Sequence, residues 1–243
     1  MTAVRAILPL RTRLPVNSPS SKSAVAVLFS GGLDSSILLA SLLAQRQRVV
    51  PLYVDCELHW QTAELQAARR FLQVVKTPEL SELVVLKMPL AELYEDHWSL
   101  TGHGVPRDTD PDELVYLPGR NPLLLVKADL WCRLHEVKQL ALGSLASNPF
   151  ADSTDAFFVH FEAAMNQAVP GQVQIVRPLA GLDKRQVMRL GREMPLGWTF
   201  SCLSPTGGLH CGGCNKCAER QQAFRLAELE DPTPYAAARR VAI

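Results

Sequence analysis

Short, continuous apolar runs alternate along this chain with longer segments whose apolar residues recur at helical spacing. The run AVAVLF at residues 24–29 is valine-rich, the pattern of a strand buried on both faces of a parallel sheet. It leads through SGGLDSS into ILLASLLAQRQ, which reads as a helix with its leucines on one face. Val49–Asp55 (VVPLYVD) predicts a second strand with a proline near its start, residues 61–75 a helix, and residues 83–88 (LVVLKM) a third strand. From about residue 95 to 121, repeated Gly and Pro predict a long loop, a feature that in compact domains often carries function. Helical spacing returns over 122–137, followed by a fourth strand at 139–145. A helix over 155–169 has Asp152, Ser153 and Asp155 as candidate caps, and a further strand falls at 173–176. A helix over 183–193 starts on Asp183, and a closing helix covers 215–229. Strands and helices alternating at this spacing define an α/β fold, a parallel sheet with helices on both faces.

Composition narrows the class. The chain has 243 residues, 47% hydrophobic and 20% charged, with a formal net charge of +1. That length buries a core without staples, and that apolar content excludes a mostly disordered chain. The near-zero charge gives no global signal for nucleic acid or an anionic membrane. No apolar run approaches the roughly 18 residues of a membrane span. Arg5, Arg11 and Arg13 interrupt the apolar stretch at the N-terminus, which does not read as a secretory signal. The segment before Asp34 holds no acid and is rich in serine, the composition of an organelle transit peptide. Pro9 and Pro15 would break the amphipathic helix such a peptide needs, so it is read as an extension of a cytoplasmic protein. The expected organisation is an extension at 1–23, an α/β domain at 24–195, a cysteine-bearing subdomain with the closing helix at 196–230, and a tail at 231–243.

Chemistry concentrates first at SGGLDSS, between a predicted strand and a predicted helix. Ligands of open α/β sheets bind at the carboxyl ends of strands. Gly31 and Gly32 permit a tight turn and close backbone approach, and the N–H groups opening the helix favour an anion there. Ser30, Ser35 and Ser36 add hydroxyl donors, and Asp34 adds a carboxylate that suits phosphate only with a divalent cation between them. The string lacks the lysine of a Walker A loop and is not GxGxxG. It reads as a pyrophosphate cradle with a magnesium-handling acid. The plain competitor is a glycine-containing turn with a Ser/Asp cap.

The second concentration is Cys202-x8-Cys211-x2-Cys214-x2-Cys217. Four thiolates close a tetrahedral zinc site of the structural type. An iron–sulfur cluster is the alternative on spacing alone, and free or redox thiols are the third reading. A nucleic-acid zinc ribbon is disfavoured, because the segment has few basic side chains and no aromatic platform between Phe200 and Phe224. Cys56, after the second strand, and Cys132, in an apolar helix, read as small core residues.

SGGLDSS after the first strand resembles the signature of the PP-loop ATP pyrophosphatase superfamily, whose members cleave ATP to AMP and pyrophosphate. Together with C-x8-CGxCxxC, YLPGRN at 116–121, RPLAGLDK at 177–184 and TFSC at 199–202, it resembles the 7-cyano-7-deazaguanine synthase (QueC) family over about residues 24–224. The resemblance implies ATP with Mg2+ on Ser30, Gly31, Gly32, Leu33, Asp34, Ser35 and Ser36, and Lys184 toward the phosphates. Arg120 and Asn121 would line the active site, and Zn2+ would sit on the four cysteines. Tyr53 and Asp55 stand at the end of the second strand, where the resemblance implies that this fold holds adenine and ribose. Asp34, Lys184 and Arg120 are the expected catalytic residues. The implied reaction joins ammonia to 7-carboxy-7-deazaguanine through an acyl-adenylate and an amide to the nitrile. A homodimer is implied, direct nucleic-acid binding is not. Asn148 stands near the family's usual acid, Asp152 matches a second one, Ser153 and Thr154 replace a Cys-Arg pair, and Gln186 replaces a glutamate. These differences keep a second reading open, an adenylating ligase that activates a deazapurine or another carboxylate, joins it to a different amine and stops at the amide. A zinc-stapled binding module without activity and a tRNA-binding modifier are the readings from other classes.

Overall fold

The computed structural model describes residues 23–145 and 148–236. The basic extension, apart from Ser23, and the end of the tail from 237 lie outside the described residues. Five strands form one parallel sheet in the order β3-β2-β1-β4-β5. They are β1 (Val25–Leu28), β2 (Val49–Asp55), β3 (Val84–Lys87), β4 (Gln139–Ala141) and β5 (Gln174–Val176). The helices are α1 (Leu33–Ala44), α2 (Gln61–Val74), α3 (Ala91–Tyr94), α4 (Trp98–Thr101), α5 (Arg120–Leu134), α6 (Asp155–Ala168), α7 (Lys184–Leu190) and α8 (Asn215–Ala227).

Strand β1 lies centrally and is buried on both faces, as its unbroken apolar run requires. Val25, Val27 and Phe29 face a core layer built with α1, α2, α7 and α8, through Ile37, Phe71, Val187 and Phe224. Ala26 faces the opposite layer, where Leu125, Ala128, Leu140 and Phe158 bring in α5 and α6. Pro51 is tolerated inside β2 because it points, like Val49, to the β3 side. There the β2–β3 pairing begins only at Leu52↔Val84.

Several element limits differ from the sequence reading, each for a local reason. Helix α1 starts at Leu33, inside the SGGLDSS motif, because Gly32 is its N-cap in extended conformation. Helix α5 starts at Arg120, ahead of Pro122, because left-handed Gly119 (φ 74°) turns the loop into the helix. Pro122 then occupies the first turn, where its missing N–H removes no helical bond. The long loop holds α4 and a 3-10 turn at Asp112–Val115. Strand β4 ends at Ala141, since pairing with β5 ends at Ala141↔Val176 and the chain must pass close to α1.

That passage is tight. A Cβ on Gly143 would stand 3.0 Å from the Asp34 carbonyl carbon and 3.0 Å from the Ser35 nitrogen, both backbone atoms. Gly143→Ala is expected to destabilise the protein by about 1–3 kcal/mol, the usual cost of overpacking a site that cannot give way. A urea midpoint equal to that of the native protein would show that the two backbones are not in contact.

Candidate active site

The carboxyl ends of β1, β2 and β4 open into one cavity of about 350 Å³. It lies where the strand order reverses across β1, the place where open α/β sheets bind ligands. One side of it is the β1–α1 turn. Gly31 sits at φ 76°, and a Cβ there would meet the Ala68 Cβ at 3.0 Å, so both conformation and space require glycine. The Ser30 hydroxyl accepts from the Gly32 N–H (3.3 Å) and shares a hydrogen bond with the Ser35 hydroxyl (3.2 Å). The Ser35 hydroxyl also donates to the Gly32 carbonyl (3.3 Å). Ser36 is wholly buried, and its hydroxyl has no hydrogen-bond partner among the described residues. A donor set with a spare buried hydroxyl, free helix N–H groups and a neighbouring carboxylate fits a phosphate chain with its cation.

Lys184 opens α7 beside this turn and donates to both Asp34 oxygens, at 2.9 and 2.7 Å. Glu219 lies 3.6 Å from the same ammonium and accepts from Lys216 at 2.5 Å. Burial opposes the charge on Lys184, but the Asp34 and Glu219 carboxylates outweigh it and raise the pKa above the ordinary lysine value. Lys184 is therefore a cation at any physiological pH. Asp183 caps α7, and its partner in the capping box is Gln186, so the residue in place of a glutamate holds the helix start that aims Lys184.

The opposite wall comes from β2, α2 and α5. Tyr53 donates its phenol proton to Glu64 Oε2 at 2.6 Å. Burial, then the Glu64 charge, pushes the Tyr53 pKa far up, so the phenol stays protonated. Arg120 reaches the cavity, and its Nε is buried with no hydrogen-bond partner among the described residues. Asn121 is held from behind, donating through Nδ2 to the Asp152 carbonyl (3.1 Å) and to Asp152 Oδ1 (3.2 Å). Asn148, Ser144 and Phe158 line the end below β4, and the Arg177 guanidinium stacks on the Phe158 ring at 4.4 Å. Thr154 caps α6 and Ser153 is buried, so neither residue of that replaced pair lines the cavity.

Most of the residues expected from the sequence meet here: Ser30, Gly32, Leu33, Asp34, Ser35, Tyr53, Arg120, Asn121 and Lys184 all line the cavity. Gly31 and Ser36 sit directly behind it. Asp55 does not line it. The β2–β3 register sets Asp55 beside Lys87, which donates to its carboxylate at 2.5 Å, and the Glu57 N–H takes the other oxygen at 3.1 Å. Cys56 and Cys132 are buried, and burial raises their thiols to about 11 and about 12. Sequence reasoning missed Glu64, Lys216, Glu219 and Arg220 as site residues. The only signal was position, with Glu64 in the first turn after the second strand and Glu219-Arg220 just after the last cysteine.

The four cysteine sulfurs lie within 4.8 Å of one another, with Cys202–Cys214 and Cys211–Cys217 both at 3.9 Å. A tetrahedral zinc with Zn–S bonds of about 2.3 Å has sulfur–sulfur edges of about 3.8 Å, so the cluster already has the required size. Backbone N–H groups of Leu203 and Cys211 donate to Cys214 and Cys202 sulfur at 3.5 and 3.2 Å, the support that thiolates take from a surrounding turn. Hydrogen bonds inside the cluster, Cys202 foremost, move the Cys211 and Cys214 thiols down, while Cys202 and Cys217 are moved up. The cluster is also one wall of the cavity, since Ser201, Cys202 and Leu203 line it and α8 carries Lys216, Glu219 and Arg220 into it. Arg220 is buried and ties this wall together, donating to Thr233 (2.7 Å), Thr199 (2.8 Å) and the Leu196 carbonyl (2.9 Å). Burial holds His210 neutral, with its pKa near 3, and its Nε2 accepts from the Ser201 N–H at 3.1 Å.

The glycine turn at the carboxyl end of a parallel sheet, its facing lysine and the four-cysteine cluster form the walls of one cavity. Residues 24–228 match the family described as "Queuosine biosynthesis protein QueC", and the chain belongs to that family. Its relatives include the 7-cyano-7-deazaguanine synthase of Solidesulfovibrio magneticus, 33% identical over 86% of this chain and 94% of that one. The synthase of Methanopyrus kandleri is 31% identical, covering 86% of this chain and 97% of the other. "7-cyano-7-deazaguanine synthase 1" of Desulfitobacterium hafniense is 29% identical over 85% and 94%. Among solved structures, a predicted subunit of tRNA methyltransferase from Methanocaldococcus jannaschii is similar at a TM-score of 0.48 and 17% identity, covering 71% of this chain and 75% of that one. As a member of this family the chain is an ATP-dependent enzyme that forms C–N bonds and acts on small molecules. Among the described residues, no helix is long and apolar enough to cross a membrane.

Proposed function

We propose that this enzyme converts 7-carboxy-7-deazaguanine and ammonia into 7-cyano-7-deazaguanine in the cytoplasm, using two molecules of ATP. The observation that carries the reading is the convergence of the glycine turn, Lys184 and Arg120 on one cavity with an aromatic, amide-lined far end. The substrate carboxylate attacks the α-phosphorus, pyrophosphate leaves, and an acyl-adenylate forms. Ammonia displaces AMP to give the amide. The amide oxygen then attacks a second ATP, and loss of AMP leaves the nitrile.

The residues divide this work by charge. Lys184 and the α1 N–H groups face the phosphates, where negative charge shifts as pyrophosphate departs. Arg120, with a buried donor to spare, meets the carboxylate. Phe158 and Asn148 offer a ring face and a polar edge to a flat heterocycle. Asp34 would hold Mg2+, which neutralises phosphate charge when bound. The four cysteines would hold Zn2+ as a closed structural ion that fixes the wall carrying Glu219 and Arg220. A homodimer belongs to the proposal on family resemblance alone.

One reaction tests the reading. Enzyme, ATP, magnesium, the carboxylate and ammonium are combined and the products weighed by mass spectrometry. The nitrile with AMP is expected. AMP with the primary amide alone, or no acyl product, would sink it and turn the search to another amine or another carboxylate, the second reading that the Asn148–Thr154 differences motivate.

A further inference from the structure

Three carboxylates line the cavity, Asp34, Glu64 and Glu219, beside four cationic side chains. Lys184 grips both oxygens of Asp34, and Lys216 and Lys184 flank Glu219. Glu64 alone of the three has no ion-pair partner among the described residues. Its contacts are the Tyr53 phenol, which donates to Oε2 at 2.6 Å, and the Trp60 indole. Trp60 is itself braced by stacking on Trp98, with ring centroids 5.8 Å apart. The charged or titratable groups acting with Glu64 are Tyr53 and Cys56 from the β2 end and Arg120 from the start of α5. A cavity-lining carboxylate without an ion-pair partner is a place for a small cation.

The reaction needs such a site. Ammonia is almost wholly protonated near neutral pH, and ammonium has no lone pair with which to attack. We propose that Glu64 binds the incoming ammonium and takes its first proton, an inference that rests on the reading above. One N–H bond breaks, and the proton passes to the Glu64 carboxylate. The freed lone pair forms the C–N bond to the acyl carbon, the C–O bond to AMP breaks with its electrons on AMP, and the second proton to leave nitrogen passes to the departing phosphate. Burial favours this transfer by raising the Glu64 pKa, against the smaller opposing influence of Tyr53 and Arg120.

Glu64→Gln keeps the shape and the Tyr53 contact but cannot accept a proton. The variant is compared with the native enzyme using ammonium and using hydroxylamine, which is already uncharged near neutral pH. Product from ammonium is expected to fall about 100-fold, a typical contribution of a positioned base. Hydroxamate formation is expected to stay within about threefold of native, and the deficit with ammonium to shrink as alkaline pH supplies free ammonia. Equal loss with both nucleophiles, or undiminished use of ammonium, would overturn the ammonium site and leave the substrate reading standing. A native enzyme that forms no acyl product from either nucleophile would overturn the substrate reading and this inference with it. If Glu64→Gln fails to fold, Glu64→Asp serves. An ammonium KM raised about tenfold with hydroxylamine kinetics unchanged supports the site, and parallel changes refute it.

Discussion

Lys184→Met is expected to lower kcat/KM for ATP by about 10²–10³, the range for losing one charged group placed where transition-state charge develops. The side chain is poised by a local device and a distant one. The Asp183–Gln186 capping box fixes the start of α7, and Asp34, 150 positions away in sequence, fixes the ammonium. Met keeps the stem and its packing, so the fold should survive. Asp34 would lose its partner, but it remains partly open to solvent, which limits the stability cost. Lys184→Arg is expected to recover only part of the activity, since a planar fork does not reproduce a compact ammonium. Steady-state kinetics with the melting temperature as a control decide this. Native kinetics in Lys184→Met would mean that Lys184 serves only to pair Asp34.

Cys214→Ser is expected to remove bound zinc and lower the melting temperature by about 10 °C or more. Structural zinc sites contribute many kcal/mol, and in a chain of this size each kcal/mol moves the melting temperature by about 2–4 °C. Cys214 is the residue that precedes α8, and it also receives the Leu203 N–H. Without the ion, Cys202 and Leu203 on one side and Lys216 and Glu219 on the other would lose their common anchor. Activity should therefore fall together with metal content, and restoring zinc to the chelated native enzyme should restore both. Metal analysis and calorimetry on the same sample check this. A variant that holds one equivalent of zinc with an unchanged melting temperature would show that the cluster is not a four-cysteine site.

The elements that read well from the sequence are those whose signal is local. The buried strands announce themselves by unbroken valine and leucine, and the glycine turn lies within seven consecutive residues. The four cysteines are spaced by the turns that bring them together. The missed residues share the opposite property. Glu64, Lys216 and Glu219 sit on helices rich in polar side chains, where a charge ordinarily means solvent. Only the strand order, which carries α2 and α8 to the mouth of β1, turns those charges inward. Asp55 shows the same limit from the other side. Its place at a strand's carboxyl end suggested a ligand contact, but the register of β3 supplies Lys87 as a partner. A cross-strand neighbour of that kind cannot be read from either strand alone.

On the proposed reaction, the cavity activates a carboxylate oxygen by attaching it to the α-phosphorus of ATP. Substrate carrying oxygen-18 in both carboxylate positions tests it, with the label followed by mass spectrometry of the nucleotide products. An unlabelled nitrile is expected, with AMP that carries one labelled oxygen in each molecule formed. Label in inorganic phosphate with ADP as the nucleotide product, or label left in water, would contradict it.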